Sequence, residues 1–335
     1  MRDWISEKSR PAESGGPTVK EMPAQKESLD ALIDEIGKVI KGKDEVIKLS
    51  LVALIARGHL LIEDVPGIGK TTLANALSRA LDLSFHRIQF TSDLLPSDVI
   101  GISLFNQRTS EFEWKPGPIF ANIVLADEIN RATPKTQSSL LEAMGEEQVT
   151  SEGVTRPLPD PFMVVATQNP AEHHGTYPLP ESQLDRFMLR LHVGYPNSTQ
   201  EKELIQDRAI SDPIDTVERV MGKTDLLAAQ ECAASVRVHE ALIDYLLKIV
   251  DLTRQNPQIE LGVSPRGALS LISSAKALAT IEGRDYCIAD DIKRLVLPCF
   301  AHRVVISSSS SKLNRRSQEA NKILIEIVQS VEVPV

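Results

Sequence analysis

An α/β fold, with a parallel five-stranded sheet between helices and a smaller all-α domain after it, is the architecture that the 335-residue sequence predicts. Two observations carry it. Short, almost continuously apolar runs alternate with helical stretches between His59 and Val193, the pattern of strands buried on both faces of a parallel sheet. Beyond Tyr195-Pro196-Asn197 these runs stop, and amphipathic helical segments follow one another to the C-terminus. A chain of this length can bury a sizeable core and divide into a large and a small domain.

From Met1 to Glu27 the sequence is polar and without periodicity, so residues 1–27 are expected to form a disordered tail. Helix begins near Ser28, where Leu29, Leu32, Ile33, Ile36 and Ile40 share one face and Gly42 is a stop; a second helix runs from Val46 to Arg57. The strand-like runs are His59 to Glu63, Phe85 to Phe90, Asn122 to Asp127, Phe162 to Thr167 and Met188 to Val193. Two hairpins interrupt them, Ile102–Asn106 with Glu111–Lys115 and Gln148–Thr150 with Val154–Arg156 around Gly153. Helices are expected near 199–210, 223–234, 238–255, 265–282, 289–300 and 313–330, with the serine run Ser307 to Ser311 as a connection. The α/β domain therefore spans 28–197 and the helical domain 198–335.

Composition narrows the function. A formal net charge of -9 argues against a protein that coats duplex DNA, which needs a basic footprint. Cys232, Cys287 and Cys299 lack any C-x-x-C spacing, so buried free thiols are expected rather than a disulfide framework or a zinc site. His173-His174 has no further ligand at metal spacing, and no metal is assigned there. The longest apolar run, Leu51 to Ala56, is far short of the roughly 20 residues that span a bilayer, and no apolar h-region opens the chain. The expectation is a cytoplasmic protein with no membrane partner.

The segment from His59 to Ala74 is the most informative. A buried strand enters a turn, Pro66-Gly67-Ile68-Gly69, and a helix leaves it at Lys70-Thr71-Thr72. Glycines let backbone N–H groups curl around phosphate oxygens at the positive end of that helix. Lys70 would reach the β- and γ-phosphates and the Thr71 hydroxyl would bind Mg²⁺. The strict G-x-x-x-x-G-K-[ST] pattern is not met, because Asp64 stands at its first glycine. Ile123 to Glu128 is an apolar strand ending in two acids; at the carboxyl end of a parallel sheet Asp127 can complete a Mg²⁺ shell while Glu128 polarises a water. Asn169 closes a further strand and could hold that water or the γ-phosphate.

Together these residues resemble the AAA+ superfamily and, within it, the MoxR family of ATPases. The resemblance runs from about Leu29 to the C-terminus. It is carried by Glu63 to Ala74, Phe90 to Asp98, Pro118 to Asn122, Asp127 to Ala132, Ala166 to Pro170, Gly175 to Phe187 and Ser264-Pro265-Arg266. It implies a P-loop AAA+ core that binds ATP and Mg²⁺. Walker A would be Gly67 to Thr72, Walker B Asp127 and Glu128, sensor 1 Asn169, sensor 2 Arg266 and the arginine finger Arg186. The hairpins match the helix-2 and pre-sensor-1 inserts of this clade, and Gly42 matches the segment flanking adenine. Independently, Arg266 in the first turn of a helix opposes the helix dipole, and nucleotide phosphate would supply the anion it lacks.

The implied activity is Mg²⁺-dependent ATP hydrolysis in a homo-oligomer, a hexameric ring, that remodels or matures a protein client, with a von Willebrand factor A domain protein as partner. A nucleic-acid motor is the alternative, since similar hairpins occur in AAA+ helicases; the acidic balance and few aromatics count against nucleic acid. A nucleotide-gated scaffold is a third reading, which the intact Glu128, Asn169 and Arg186 set disfavours.

Overall fold

The structure, a computed structural model, describes residues 22–169, 175–208, 213–307 and 313–334. Residues 1–21, Pro170, His173-His174 and Ser308 to Ser311 lie outside the described residues, and with them most of the expected tail, the histidine pair and most of the serine run.

Helix α1 (Met22–Gly37) starts earlier than the expected Ser28 and is followed by α2 (Asp44–Ile55). The α/β part continues with β1 (Leu60–Glu63), α3 (Lys70–Ala80), β2 (Phe85–Gln89), α4 (Pro96–Ile100), β3 (Gly101–Asn106), β4 (Glu111–Pro116) and β5 (Ile123–Asp127). It closes with α5 (Pro134–Glu146), β6 (Gln148–Ser151), β7 (Val154–Pro157), β8 (Met163–Gln168), α6 (Glu181–Leu184) and β9 (Leu189–Leu191). The helical part comprises α7 (Ser198–Arg208), α8 (Lys223–Ser235), α9 (Glu240–Gln255), β10 (Ile259–Leu261), α10 (Pro265–Ile281), α11 (Ala289–Phe300), β11 (Val305–Ile306) and α12 (Leu313–Ser330). The antiparallel β10–β11 ribbon is an addition to the all-helical expectation.

The main sheet has the order β2-β5-β8-β1-β9 and is parallel throughout. The apolar runs of β1, β5 and β8 are continuous because both their faces are buried, whereas β2, at the sheet's edge, exposes His86, Arg87 and Gln89. Leu60, Ile62, Ile123, Leu125, Met163 and Val165 point into one core, while Leu61, Val124, Ala126, Val164 and Ala166 point into the other. The second core is closed by α4 and α5 through Val99, Leu140, Leu141 and Met144. The first holds Leu32 of α1, Leu51 of α2 and Leu77 of α3, and it continues without a break into Leu226, Tyr245, Leu271 and Phe300 of the helical part. Polar ties reinforce that continuity: Gln230 donates to the Leu54 carbonyl at 2.9 Å, and Lys48 pairs with Glu282 at 2.9 Å.

This topology places the ends of β1, β2, β5 and β8 side by side, so that Glu63, Gln89, Asp127 and Gln168 mark one edge of the sheet. Ligands of open parallel sheets bind outside that edge. The two expected hairpins are β3–β4 and β6–β7. They touch each other: the Arg156 guanidinium lies 3.9 Å from the centre of the Trp114 ring, and Ser103 is hydrogen-bonded to Glu152.

Candidate active site

After β1 the chain turns through Gly67 and Gly69 at φ +84° and +94°, a left-handed conformation that glycine adopts without steric cost. Gly69 is the N-cap of α3 and has no side chain to bond the helix's first N–H groups. Those donors face a cavity of about 310 Å³ lined by Pro66, Gly67, Gly69, Lys70, Thr71 and Thr72. A Cβ added to Gly67 would meet nothing within 4 Å, so the cradle is open on that side.

Asp64, the departure from the generic loop, braces this turn. Its Oδ1 accepts from the Val65 N–H at 2.9 Å and its Oδ2 from the Gly194 N–H at 2.6 Å, so the carboxylate ties the turn to the chain leaving β9. Glycine could do neither. The buried Lys70 ammonium donates to the Asp64 carbonyl at 2.6 Å and so lies along the loop it is expected to serve.

The opposite wall is built by β2, β5 and the end of β8, which bring Arg87, Gln89, Asp127, Glu128 and Asn169 to the same cavity. Asp127 is buried and engaged at both oxygens. Thr167 Oγ1 donates to Oδ1 at 2.6 Å, and Arg87 donates to Oδ2 from Nη2 at 2.6 Å and from Nε at 3.2 Å. Glu128 takes φ +57°, a strained value for a residue with a side chain. Its Oε2 accepts from Gln89 Nε2 at 2.8 Å and pairs with Arg131 at 3.2 Å, while its N–H donates to Thr167 Oγ1 at 2.8 Å. Thr167 thus joins the two acids through one fully buried hydroxyl.

Beside the loop a smaller cavity of about 80 Å³ is lined by Ile40, Lys41, Lys43, Ile68, Gly69 and Thr72 among others. The segment expected to flank adenine runs along it. Gly42 is not among its lining residues, although its neighbours on both sides are.

Arg186 and Arg266 stand elsewhere, outside the residues lining the cavity at the α3 N-terminus. Arg186 donates to the Leu141 carbonyl and lies against Gly145 of α5. Arg266 is exposed in the first turn of α10, whose N-cap Ser264 accepts from the Gly267 N–H at 3.1 Å. The Ser264 hydroxyl also meets both carboxylate oxygens of Asp185 at 3.1 Å. Asp185 is further bound by Arg303, a side chain only 1% exposed, whose Nε donates to Oδ1 at 2.8 Å and whose other nitrogens reach the carbonyls of Phe187 and Met188 at 2.6 and 3.0 Å. The corner at Asp185 therefore fixes the loop carrying Arg186 and the helix start carrying Arg266 to one point.

Arg87, Gln89, Arg131 and Thr167 were not singled out from the sequence. Arg87 and Gln89 alternate on β2, an edge strand, where a charge ordinarily reads as protection of the edge. A larger cleft, about 630 Å³, lies between the ends of β8, β1 and β9 and helix α12; Lys70, Asp127 and Glu128 do not line it. Among the described residues no cluster of three or more His, Cys, Asp or Glu side chains could hold a metal on its own; the residues expected to hold a cation, Thr71 and Asp127, both line the cavity at the α3 N-terminus.

Comparison with known proteins places the chain in a family. Residues 59–189 match the ATPase family associated with various cellular activities, and residues 251–324 match the AAA lid domain. Chaperone MoxR1 of Mycobacterium tuberculosis is 42% identical over 85% of this chain and 78% of its own. This chain belongs to the MoxR family of AAA+ ATPases. Uncharacterized protein YeaC of Bacillus subtilis is 48% identical over 92% of this chain and 95% of its own. The crystal structure of a Cytophaga hutchinsonii protein of presumed ATPase function superposes with a TM-score of 0.86 at 38% identity, covering 94% of this MoxR-family chain and 98% of that one.

Proposed function

We propose that the chain hydrolyses ATP with Mg²⁺ and, as a ring, spends the energy on remodelling or maturing a protein complex. The observation that carries the catalytic part is the single cavity into which the α3 N-terminus, Lys70, Asp127, Glu128 and Asn169 converge. The cradle donates N–H groups to phosphate, Lys70 leaves the Asp64 carbonyl to neutralise the β- and γ-phosphates, and Thr71 and Asp127 hold the cation. Mg²⁺ there would offset charge developing on the transferred phosphoryl group. Glu128, held by Gln89 and Arg131, orients and polarises the attacking water, with Asn169 beside it. The test is a pair of variants: Lys70→Ala loses nucleotide binding, whereas Glu128→Gln binds ATP and stops turnover. Equal ATP affinity for wild type and Lys70→Ala would defeat the assignment.

A composite site is part of the same reading, because Arg186 and Arg266 line no phosphate cavity of their own chain yet share the Asp185 corner. Each would serve a neighbour's nucleotide in a homo-oligomeric, hexameric ring, where a trans arginine contributes about 10³ to 10⁵ in rate. Homo-oligomers of Arg186→Ala and of Glu128→Gln are then both nearly inactive. Mixing them restores partial hydrolysis at interfaces that pair an intact Glu128 with an intact Arg186. Verified hetero-oligomers that stay inactive would count against the trans arrangement.

The remodelling role is supported by the name chaperone given to the M. tuberculosis relative. The protein client, a von Willebrand factor A domain partner and a cytoplasmic setting are proposed by family analogy. Among the described residues no helix is long and apolar enough to cross a membrane. DNA, given the net charge of -9, is expected neither to bind tightly at physiological salt nor to accelerate turnover. Several-fold stimulation of turnover by DNA would favour the nucleic-acid motor instead.

A further inference from the structure

Arg87 has no role in any of the motifs, yet it is the cation that pairs with the acid expected to hold Mg²⁺. Its guanidinium covers Asp127 Oδ2 with two nitrogens, at 2.6 and 3.2 Å, and its Nη2 also donates to Gln89 Oε1 at 2.9 Å. The Arg87 side chain is 49% exposed, whereas the Asp127 side chain is 12% exposed and pinned from its other oxygen by Thr167. The acid is held from both sides within the wall, whereas the arginine reaches it from a side chain half in solvent.

Charge balance in the cavity follows from these contacts. Lys70 and Arg87 supply two positive groups to its wall and Asp127 and Glu128 two negative ones. A divalent cation arriving at Asp127 upsets that balance, because it competes for the same oxygen and repels a guanidinium a few ångströms away. Arg87 must then leave. A guanidinium has five donors and no acceptor, so it needs another anion. Glu128 already accepts from Gln89 and pairs with Arg131. What the loaded cavity offers instead is the phosphate chain, whose tetrahedral oxygens suit a planar fork of donors. The sheet order puts Arg87 on the far side of β5 from β1, so it approaches the phosphates from the side opposite Lys70.

We propose that Arg87 holds the divalent cation's place at Asp127 and moves to the γ-phosphate when ATP and Mg²⁺ enter, so that one residue of the chain's own site distinguishes ATP from ADP. This rests on the phosphate-site reading above and adds to it a residue and a selectivity.

The experiment measures binding rather than turnover. Wild type, Arg87→Ala and Arg87→Lys are titrated with fluorescent ADP and with a fluorescent, non-hydrolysable imido analogue of ATP, each with Mg²⁺ and with chelator. In Mg²⁺ the alanine variant should lose about ten- to hundredfold in affinity for the ATP analogue, the worth of a charge-assisted bond, and less than about twofold for ADP. Arg87→Lys should recover part of the loss. With chelator the variants should bind the analogue within about threefold of wild type, since Arg87 then stays on Asp127. Equal losses for the two nucleotides, or no loss, would show that Arg87 is only the counter-ion of Asp127 and overturn the proposal. Should Arg87→Ala fail to fold, Arg87→Gln keeps a donor to Asp127 without the charge and gives the same reading. Lys70→Ala serves as the control for the underlying site: unchanged nucleotide binding by it would sink the phosphate-site reading itself, separately from the role of Arg87.

Discussion

Asp64 and Thr167 show how single side chains shape this site in ways that motif spacing cannot register. Asp64 departs from the generic phosphate loop in the form that the family resemblance implies, and its carboxylate accepts two backbone N–H groups that hold the loop against the exit of β9. Restoring the generic residue with Asp64→Gly should therefore weaken ATP binding about five- to twentyfold, the worth of one to two hydrogen bonds, instead of improving it; a fluorescent-nucleotide titration checks this. Thr167 precedes Asn169 at the end of an apolar strand and looks like ordinary strand composition. It bonds Asp127 and the Glu128 N–H at once. Thr167→Val keeps the shape and removes both bonds, so turnover should drop at least about tenfold while the melting temperature falls by the equivalent of about 1–3 kcal/mol. A variant with wild-type turnover would mean that the acids hold their positions without it. Lys70, Thr71, Asp127 and Glu128 were legible because each sits at a fixed step from a strand or helix end. Thr167, Arg87 and Gln89 were not, since their partners are close only across the sheet.

At the scale of elements, the strands and helices that could be read were those with a strong apolar pattern or a clear start signal. Helix α10 is an example: Ser264 caps it and Pro265 opens it, and both signals stand in the sequence. The β10–β11 ribbon, with strands of three and two residues, is too short for any periodicity to reveal. The two hairpins were visible, but not that they are joined. Trp114 and Arg156 stack across them and Ser103 meets Glu152, while Phe105 and Phe112 pack edge to face at 5.3 Å farther out on β3–β4. Trp114→Ala should loosen both hairpins together, raising hydrogen exchange over 101–116 and over 148–157, while global stability changes by no more than about 1 kcal/mol. Exchange that rises in one hairpin alone would mean that they move independently.

For the whole molecule, the sequence suggested a change of character near residue 197, and the element types do change there. The packing does not, because α2, α8 and α10 share one core with the sheet. Long-range packing of this kind leaves no mark on local pattern. Two fully buried histidines add a pH dependence. Burial pushes His59 down to about 4, opposed by its bond to the Met144 carbonyl, and pushes His302 well below its ordinary value, with Arg303 and Arg190 adding to the effect. Both rings are neutral in the folded chain, whereas the unfolded chain binds protons near 6.5. Their contribution is therefore intact above about pH 7 and is lost as pH falls below 6.5, at about 1.4 kcal/mol per pH unit for each ring, until His59 itself protonates near 4. Urea midpoints taken between pH 7.5 and 5 should fall accordingly, and a flat profile would contradict it.

The Asp185 corner bears on how damage spreads through an assembly. Ser264 and Arg303 reach Asp185 from the helical part, and Arg186 and Arg266 extend from the two segments that meet there. On the composite-site reading, a chain with a disturbed corner keeps a sound phosphate cavity and still stalls the cavity next door. The injury is inherited by the neighbour. A minority of Arg303→Met chains mixed into wild-type rings should thus act as a poison, silencing one healthy site for each faulty chain, and the fall in turnover should exceed their share of the mixture wherever sites fire in sequence around the ring.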